Sequence, residues 1–163
     1  MSDSGKQHVY SFDTSALIDG MERFYPIDNF PALWEKFDEL IASGRLVVSE
    51  EAWSEATKKD APLKDWCTEE SAERARCVYL TDAAVGTVVG AISAAYPQWV
   101  QQGGKNQADP FVIAVAEVVG GMVISGERDG GPANPKIPYV CAQRGTPHGR
   151  VIDVIKLEKY RFA

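Results

Sequence analysis

Cysteine is scarce in this chain. Cys67, Cys77 and Cys141 are odd in number, widely spaced and without a CxxC pair. That argues against a disulfide framework or a structural zinc site and fits a reducing compartment. Histidine is scarcer still. His8 and His148 are the only two, neither lies in a nucleophile elbow, and the chain has no GxSxG. Hydrolysis by a Ser–His pair therefore fits poorly. Neither a GxxxxGK[ST] phosphate loop nor a GxGxxG after the first apolar segment is present. No apolar run approaches the roughly 20 residues that cross a bilayer, so no membrane span is expected. Residues 1–7 hold no apolar export segment and read as a flexible tail, which makes a cytoplasmic location the expectation. Internal repeats and low-complexity stretches are absent.

What is present is ordinary for a globular protein. Of 163 residues, 45% are hydrophobic and 25% charged, and one domain over 1–163 is the expectation. The net charge of −6 argues against bulk nucleic-acid binding, but it hides an asymmetry. Residues 1–135 carry 11 basic and 21 acidic side chains, a net of −10. Residues 136–163 carry six basic and two acidic, a net of +4. A basic segment on an acidic body can touch phosphates, or can simply be a solvated surface.

Short apolar runs at Val9–Phe12, Leu46–Val48 and Met122–Ile124 read as strands. Helical spacing follows each of the first two. Leu33, Trp34, Phe37, Leu40 and Ile41 share one face before Ser43-Gly44. Ser49 is placed to cap a helix running to about Lys59. Pro62–Thr68 reads as a loop anchored by Trp66, and Glu69–Tyr79 as a weakly patterned helix. Thr81 or Asp82 opens the next helix, where Gly86, Gly90 and Ala94 form a stripe at spacing four. A glycine costs about 1 kcal/mol in a helix interior, so the stripe predicts close backbone packing, internal or within a homodimer. Gln101–Gln107 and Ser125–Pro135 read as loops. Asp109-Pro110 opens a helix that Gly120-Gly121 stops. Ile137–Cys141 and Val151–Ile152 read as short strands or turns, with a last helical turn near Lys156–Tyr160. Alternating strands and helices predict an α/β domain, three-layered, with a mostly parallel central sheet.

In such a sheet, ligands bind outside the carboxyl ends of the strands. Asp13 follows the first strand, and Glu127 lies just past the third, after Ser125. Asp109 starts the helix leading into that third strand, and Glu55 lies on the helix after the second. Four carboxylates without histidine or cysteine suit a hard divalent cation, Mg²⁺ or Mn²⁺. Simpler roles compete at each position. Asp13 and Asp109 can cap helices, and Glu55 can pair with Lys59 at i,i+4. Glu51 is an alternate for Glu55, and Asp129 for Glu127.

The segments Tyr10-Ser-Phe-Asp13-Thr-Ser15, Val48-Ser49 with Glu55, Ala108-Asp109-Pro-Phe-Val-Ile-Ala114-Val-Ala116 and Val123-Ile-Ser125-Gly-Glu127 together resemble a PIN-domain protein. Further pieces resemble one PIN-like subfamily known only as a domain of unknown function. These are Phe24-Tyr-Pro26 with Trp34, Leu63-Lys-Asp-Trp66 and Lys136-Ile-Pro-Tyr-Val-Cys141. The resemblance implies a parallel sheet between helices. It also implies a metal-dependent endoribonuclease of the VapC-like toxin kind, restrained by an antitoxin protein and able to pair as a homodimer. Carried over residue by residue, Asp13, Glu55, Asp109 and Glu127 occupy the acidic, metal-holding positions. Thr14 and Ser125 occupy supporting ones. The fourth acid of the family is usually Asp, and here it is the longer Glu127. The implied chemistry is hydrolysis of an RNA phosphodiester by a water that the metal activates. Lys105, Arg128 and Lys136 are candidates for phosphate positioning. A housekeeping RNA-processing nuclease, or a PIN scaffold that binds without cutting, are the alternatives.

Overall fold

The computed structural model describes residues 7–59, 62–68, 71–101 and 107–162. Most of the expected flexible tail, residues 1–6, lies outside them. In chain order the elements are β1 (Tyr10–Phe12), α1 (Thr14–Asp19) continued by a π-helical turn at Gly20–Phe24, α2 (Pro31–Ala42), β2 (Leu46–Ser49) and α3 (Glu50–Ala56). They continue with α4 (Leu63–Thr68), α5 (Ser71–Arg74), a 3₁₀ turn at Ala75–Cys77, β3 (Val78–Tyr79), α6 (Ala83–Ala95) and α7 (Pro97–Gln101). The last part holds α8 (Asp109–Val119), β4 (Met122–Ile124), β5 (Gly130–Gly131), β6 (Asn134–Pro135), α9 (Ile137–Arg144), β7 (His148–Gly149) and α10 (Val151–Glu158).

Five strands form one parallel sheet in the order β3-β2-β1-β4-β7, while β5 and β6 make a separate antiparallel ladder. The register places Ser11 beside Val47 and Val123, and Tyr10 beside Leu46 and Met122. Strand alternation then assigns the two faces. Phe12 turns to α2, meeting Phe37 edge-on at 5.5 Å. Ser11 turns to the other face, where its hydroxyl donates to the Val112 carbonyl of α8 at 2.8 Å. Val47 packs on that side with Ala114 and Val115. The result is a three-layer α/β/α domain. Its larger core runs through Phe12, Leu17, Trp34, Phe37 and Ile113.

Local chemistry explains the main elements. Ser49 accepts from the Ala52 N–H at 3.1 Å and so caps α3, while Asp82 accepts from Val85 at 2.8 Å and caps α6. Gly120 ends α8 in the left-handed conformation at φ +68°. Gly121 is required by space, because a Cβ there would lie 2.6 Å from the Val9 carbonyl oxygen. Trp66 is buried as expected, edge-on to Trp34 at 5.8 Å.

Several expectations are corrected. Pro62–Thr68 is not a loop, since Leu63–Thr68 is helical. Of the expected helix over Glu69–Tyr79, Glu69 and Glu70 lie outside the described residues, and the rest is a short α5, a 3₁₀ turn and the edge strand β3. Ile137–Cys141 is the first part of α9, because Pro138 falls in the first helical turn, where no N–H is needed. Val151–Ile152 opens α10, and the strand lies earlier, at His148–Gly149. The helix after Ser49 ends at Ala56 rather than near Lys59. Gln101 is helical, and most of the following expected loop lies outside the described residues. The Gly86/Gly90/Ala94 stripe does not pack internally. All three residues are exposed, and a Cβ at either glycine would meet nothing within 4 Å. No helix among the described residues is long and apolar enough to cross a membrane.

Candidate metal centre

The strand order reverses between β1 and β4. One chain connection leaves toward β2 and β3, the other toward β7. The crevice outside the carboxyl ends at such a switch point is where side chains of several elements converge. Asp13 follows β1, Glu127 follows β4 by two residues, and Asp109 is the first residue of α8. One carboxylate oxygen of each lies within 4.8 Å of the others. Asp13 is 4% and Asp109 7% exposed.

Each acid is fixed by a different device. Asp13 is tied to the sheet through its N–H, which donates to the Ile124 carbonyl at 2.8 Å. Its Oδ2 accepts from the Ser15 hydroxyl at 2.5 Å and from Ser125 at 3.4 Å. The same Ser15 oxygen accepts the Gly126 N–H at 3.0 Å, and Ser125 accepts the Glu127 N–H at 3.1 Å. Two hydroxyls thus stitch the end of β1 to the loop after β4. Gly126 permits this, because a Cβ there would collide with the Asp19 carboxylate and lie 2.9 Å from the Ser15 carbonyl. Arg150 braces the loop from outside, donating to the carbonyls of Gly126 and Glu127 at 3.2 and 2.9 Å. Glu127 Oε2 accepts the N–H of Ile137, the first residue of α9, at 3.0 Å. A helix N-terminus favours an anion at that point.

Asp109 is held differently. Ala108, not Asp109, is the cap residue of α8, and Asp109 makes no capping bond. Its Oδ2 is buried and has no hydrogen-bond partner. Capping therefore does not account for Asp109, and Asp13 likewise forms no side-chain capping bond to α1. Both carboxyls titrate well above the usual carboxylate range. For Asp109 the main cause is burial, followed by the negative charges of Asp13, Glu127 and Glu55, with Lys136 opposing. For Asp13 burial again leads, the Ser15 hydrogen bond opposes it, and Glu127 and Glu55 add to it.

The other expected residues separate. Glu55 lines the same pocket as the three acids but is exposed and outside the tight cluster. It forms no ion pair with Lys59, because α3 ends at Ala56 and the helical i,i+4 geometry is lost. Glu51 is exposed and faces a neighbouring groove rather than the acids. Asp129 is exposed and lies outside the cluster; its carbonyl accepts from Tyr139 at 2.9 Å. Thr14 lines the pocket, yet its hydroxyl donates to the Ala52 carbonyl at 3.3 Å and so fastens α1 to α3. Ser125 contacts Asp13 as described. Lys136 is half-buried and close enough to act on Asp109, while Arg128 is exposed. Lys105 lies outside the described residues. Ser15 carries the shortest hydrogen bond to Asp13, a role that sequence reasoning reserved for its neighbours. The only sequence signal was a hydroxyl two residues after the acid.

Three buried or half-buried carboxylates, one with an orphaned oxygen, form a donor set suited to a hard divalent cation. Oxygen is the sole donor type, and no cysteine or histidine joins it. The residues present therefore fit a divalent metal ion.

No curated protein matches the chain. A solved structure of similar backbone is described as "Crystal structure of DNA bound VapBC from Salmonella typhimurium". It shares 22% identity, covers 73% of this chain and 86% of its own, and has a TM-score of 0.45. Residues 10–162 match the family described as "Domain of unknown function (DUF4411)". That match spans both the sheet and every acid of the cluster, and the chain belongs to the DUF4411 family.

Proposed function

We propose that this protein is a divalent-metal-dependent endoribonuclease, acting as the toxin of a toxin–antitoxin pair. The observation that carries the nuclease reading is the buried Asp109 oxygen without a partner, facing two further carboxylates. Carboxylates brought this close repel, and burial adds to the cost. A protein tolerates such an arrangement where a cation completes it. The toxin assignment rests on the resemblance of the Asp13, Asp109 and Ser125-Gly-Glu127 segments to PIN-domain toxins.

In this reading Asp13, Asp109 and Glu127 hold the ion, with Glu55 at the rim. When bound, the cation acts as a Lewis acid that lowers the pKa of water and screens the phosphate charge. The chain supplies the rest. Ser15 and Ser125 donate to Asp13 Oδ2 and keep that carboxylate aimed, and the Ser15 bond favours its ionised form. The Ile137 N–H fixes one oxygen of Glu127. Arg150 keeps the Gly126–Glu127 backbone in place from outside the pocket. Lys136, beside Asp109, and Arg128, on the loop, orient the RNA backbone. No side-chain nucleophile is required.

The test compares wild type with Asp13→Asn on expression, following growth and RNA integrity. Purified protein is then assayed on RNA with Mg²⁺, Mn²⁺ or EDTA. Growth arrest and metal-dependent cleavage are expected for wild type only. Cleavage without growth arrest points instead to a housekeeping nuclease. Absence of both cleavage and calorimetric Mn²⁺ binding leaves a scaffold.

A further inference from the structure

Beside the acid pocket lies a second, polar groove of about 280 Å³ between the end of α3 and the start of α8. Its lining includes Ser54, Lys58, Lys59 and Gln107, together with Glu51 and Glu55. Glu55 and Lys59 also line the acid pocket, so the two spaces share a wall. Lys58 and Lys59 are both exposed, and neither ammonium group forms an ion pair with a described residue. They lie just past the last turn of α3, which ends at Ala56.

We propose that this groove is a subsite for the nucleotide flanking the scissile bond of a single-stranded RNA, and that Lys59 holds its phosphate. The proposal rests on the nuclease reading above and extends it to the path of the substrate. An acidic pocket repels a polyanion on approach, so cations are needed where the strand enters and leaves. Lys136 supplies a positive charge that acts on Asp109. Lys59 borders both the pocket and the groove and forms no ion pair with a described residue. Among the described residues, no aromatic ring lines the groove. Its hydroxyl and amide groups, with two ammonium groups that offset the Glu51 and Glu55 carboxylates, suit contacts to sugar and phosphate, which position a strand with little dependence on base identity. Base stacking, the other common means of holding single strands, has no platform here.

The experiment uses the full chain and single-stranded RNA oligonucleotides around one cleavage site, lengthened by one nucleotide at a time on either side. Cleavage is measured with Mn²⁺, and binding is measured with Ca²⁺ over a range of salt. For wild type, one added nucleotide on one side is expected to raise kcat/KM about tenfold. Lys59→Ala is expected to lose that gain through KM, with kcat on the long substrate within about threefold. Its binding is expected to become less salt-dependent by roughly 0.7 in log–log slope, the value for one phosphate contact on a single strand. Lys59→Arg is expected to restore most of the gain. An equal loss in Lys64→Ala, which removes the same charge from the surface of α4, overturns the proposal in favour of bulk electrostatics. Unchanged length dependence and salt slope in Lys59→Ala overturn it outright while leaving the nuclease intact. If wild type neither cuts nor binds any of the oligonucleotides, the nuclease reading fails and the groove fails with it.

Discussion

The two edges of the parallel sheet treat buried and half-buried carboxylates in opposite ways. At the amino edge, Glu117 receives two bonds from Arg144, at 2.7 and 2.9 Å, and one from Thr146 at 3.0 Å. Glu158 receives Arg45 at 2.6 Å and the Tyr10 hydroxyl at 2.5 Å. At the carboxyl edge, Asp13, Asp109 and Glu127 share one pocket, and none of them forms an ion pair among the described residues. The consequence is visible in titration. Arginine bonding holds Glu117 below the usual carboxylate range, while burial and mutual repulsion push Asp13 and Asp109 above it. The same fold therefore has the means to neutralise an acid and withholds them at one edge. Acids at the amino edge are neutralised within the protein, and acids at the carboxyl edge are left with the capacity to take a ligand.

The largest expected effect breaks the cluster itself. Asp109→Asn and Asp13→Asn are each expected to lower metal-dependent RNA cleavage roughly 100-fold or more, the scale of losing several kcal/mol of charge stabilisation. Neither should unfold the protein. Removing a buried, unpartnered charge at 109 should instead raise the melting temperature of the metal-free protein. An Asp109→Asn protein that cuts RNA as well as wild type would remove that residue from the site.

The amino edge should respond the other way. Arg144→Ala leaves Glu117 without its guanidinium and is expected to cost about 1–3 kcal/mol of stability in denaturant unfolding. Cleavage per folded molecule should stay unchanged. A loss of activity exceeding the loss of folded protein would join the two edges functionally and undo the comparison.

The pH dependence sharpens the contrast. Asp13 and Asp109 bind protons more tightly folded than unfolded. Their stabilising contribution is complete below the unfolded value of 3.8 and is lost as pH rises through their raised folded values. Glu117 has the opposite sign. Its contribution is present above its unfolded value of 4.5 and is lost as pH falls through its lowered folded value. The stability difference between Asp109→Asn and metal-free wild type should therefore widen as pH rises above about 4, by at most about 1.4 kcal/mol per unit for one proton. Saturating Mn²⁺ should narrow it, since a ligand bound only by the folded state adds stability. Thermal melts across pH, with and without Mn²⁺, measure both. A difference that stays flat with pH shows that Asp109 carries no excess proton.

Much of this contrast was legible in the sequence, and what was not has physical reasons. Strands β1, β2 and β4 announce themselves as apolar runs, and their parallel order follows from the helices between them. Asp13 and Asp109 stand out as charges in apolar surroundings. Strand β3 does not, because two half-buried residues at a sheet edge owe their conformation to β2 alone. Helix α9 was hidden by Pro138 and its β-branched neighbours. Missing that helix concealed the N–H that positions Glu127 over Asp129. The Ser15 role depends on Gly126 coming within reach from 111 positions away in the chain. The exposed Gly86/Gly90/Ala94 face shows the limit of spacing rules, since a small-residue stripe fixes a face but not what lies against it.

The smallest expected effect separates Glu55 from Glu51, two acids one helical turn apart on α3. Glu55 lines the acid pocket, and its charge contributes to raising both Asp13 and Asp109. It is nonetheless exposed, so solvent and salt weaken its field and no burial holds it in one place. Glu55→Gln should therefore lower cleavage only about three- to tenfold. The loss should appear mainly as a higher Mn²⁺ concentration for half-maximal rate. Glu51 lines only the neighbouring groove, and neither buried aspartate registers its charge among the largest causes of its shift. Glu51→Gln should leave the Mn²⁺ dependence where it was. Metal titration of the two single variants and the double variant decides the point. If the double variant matches Glu55→Gln, the rim carries one acid. If Glu51→Gln alone moves the Mn²⁺ midpoint, the groove and the metal pocket act as one site.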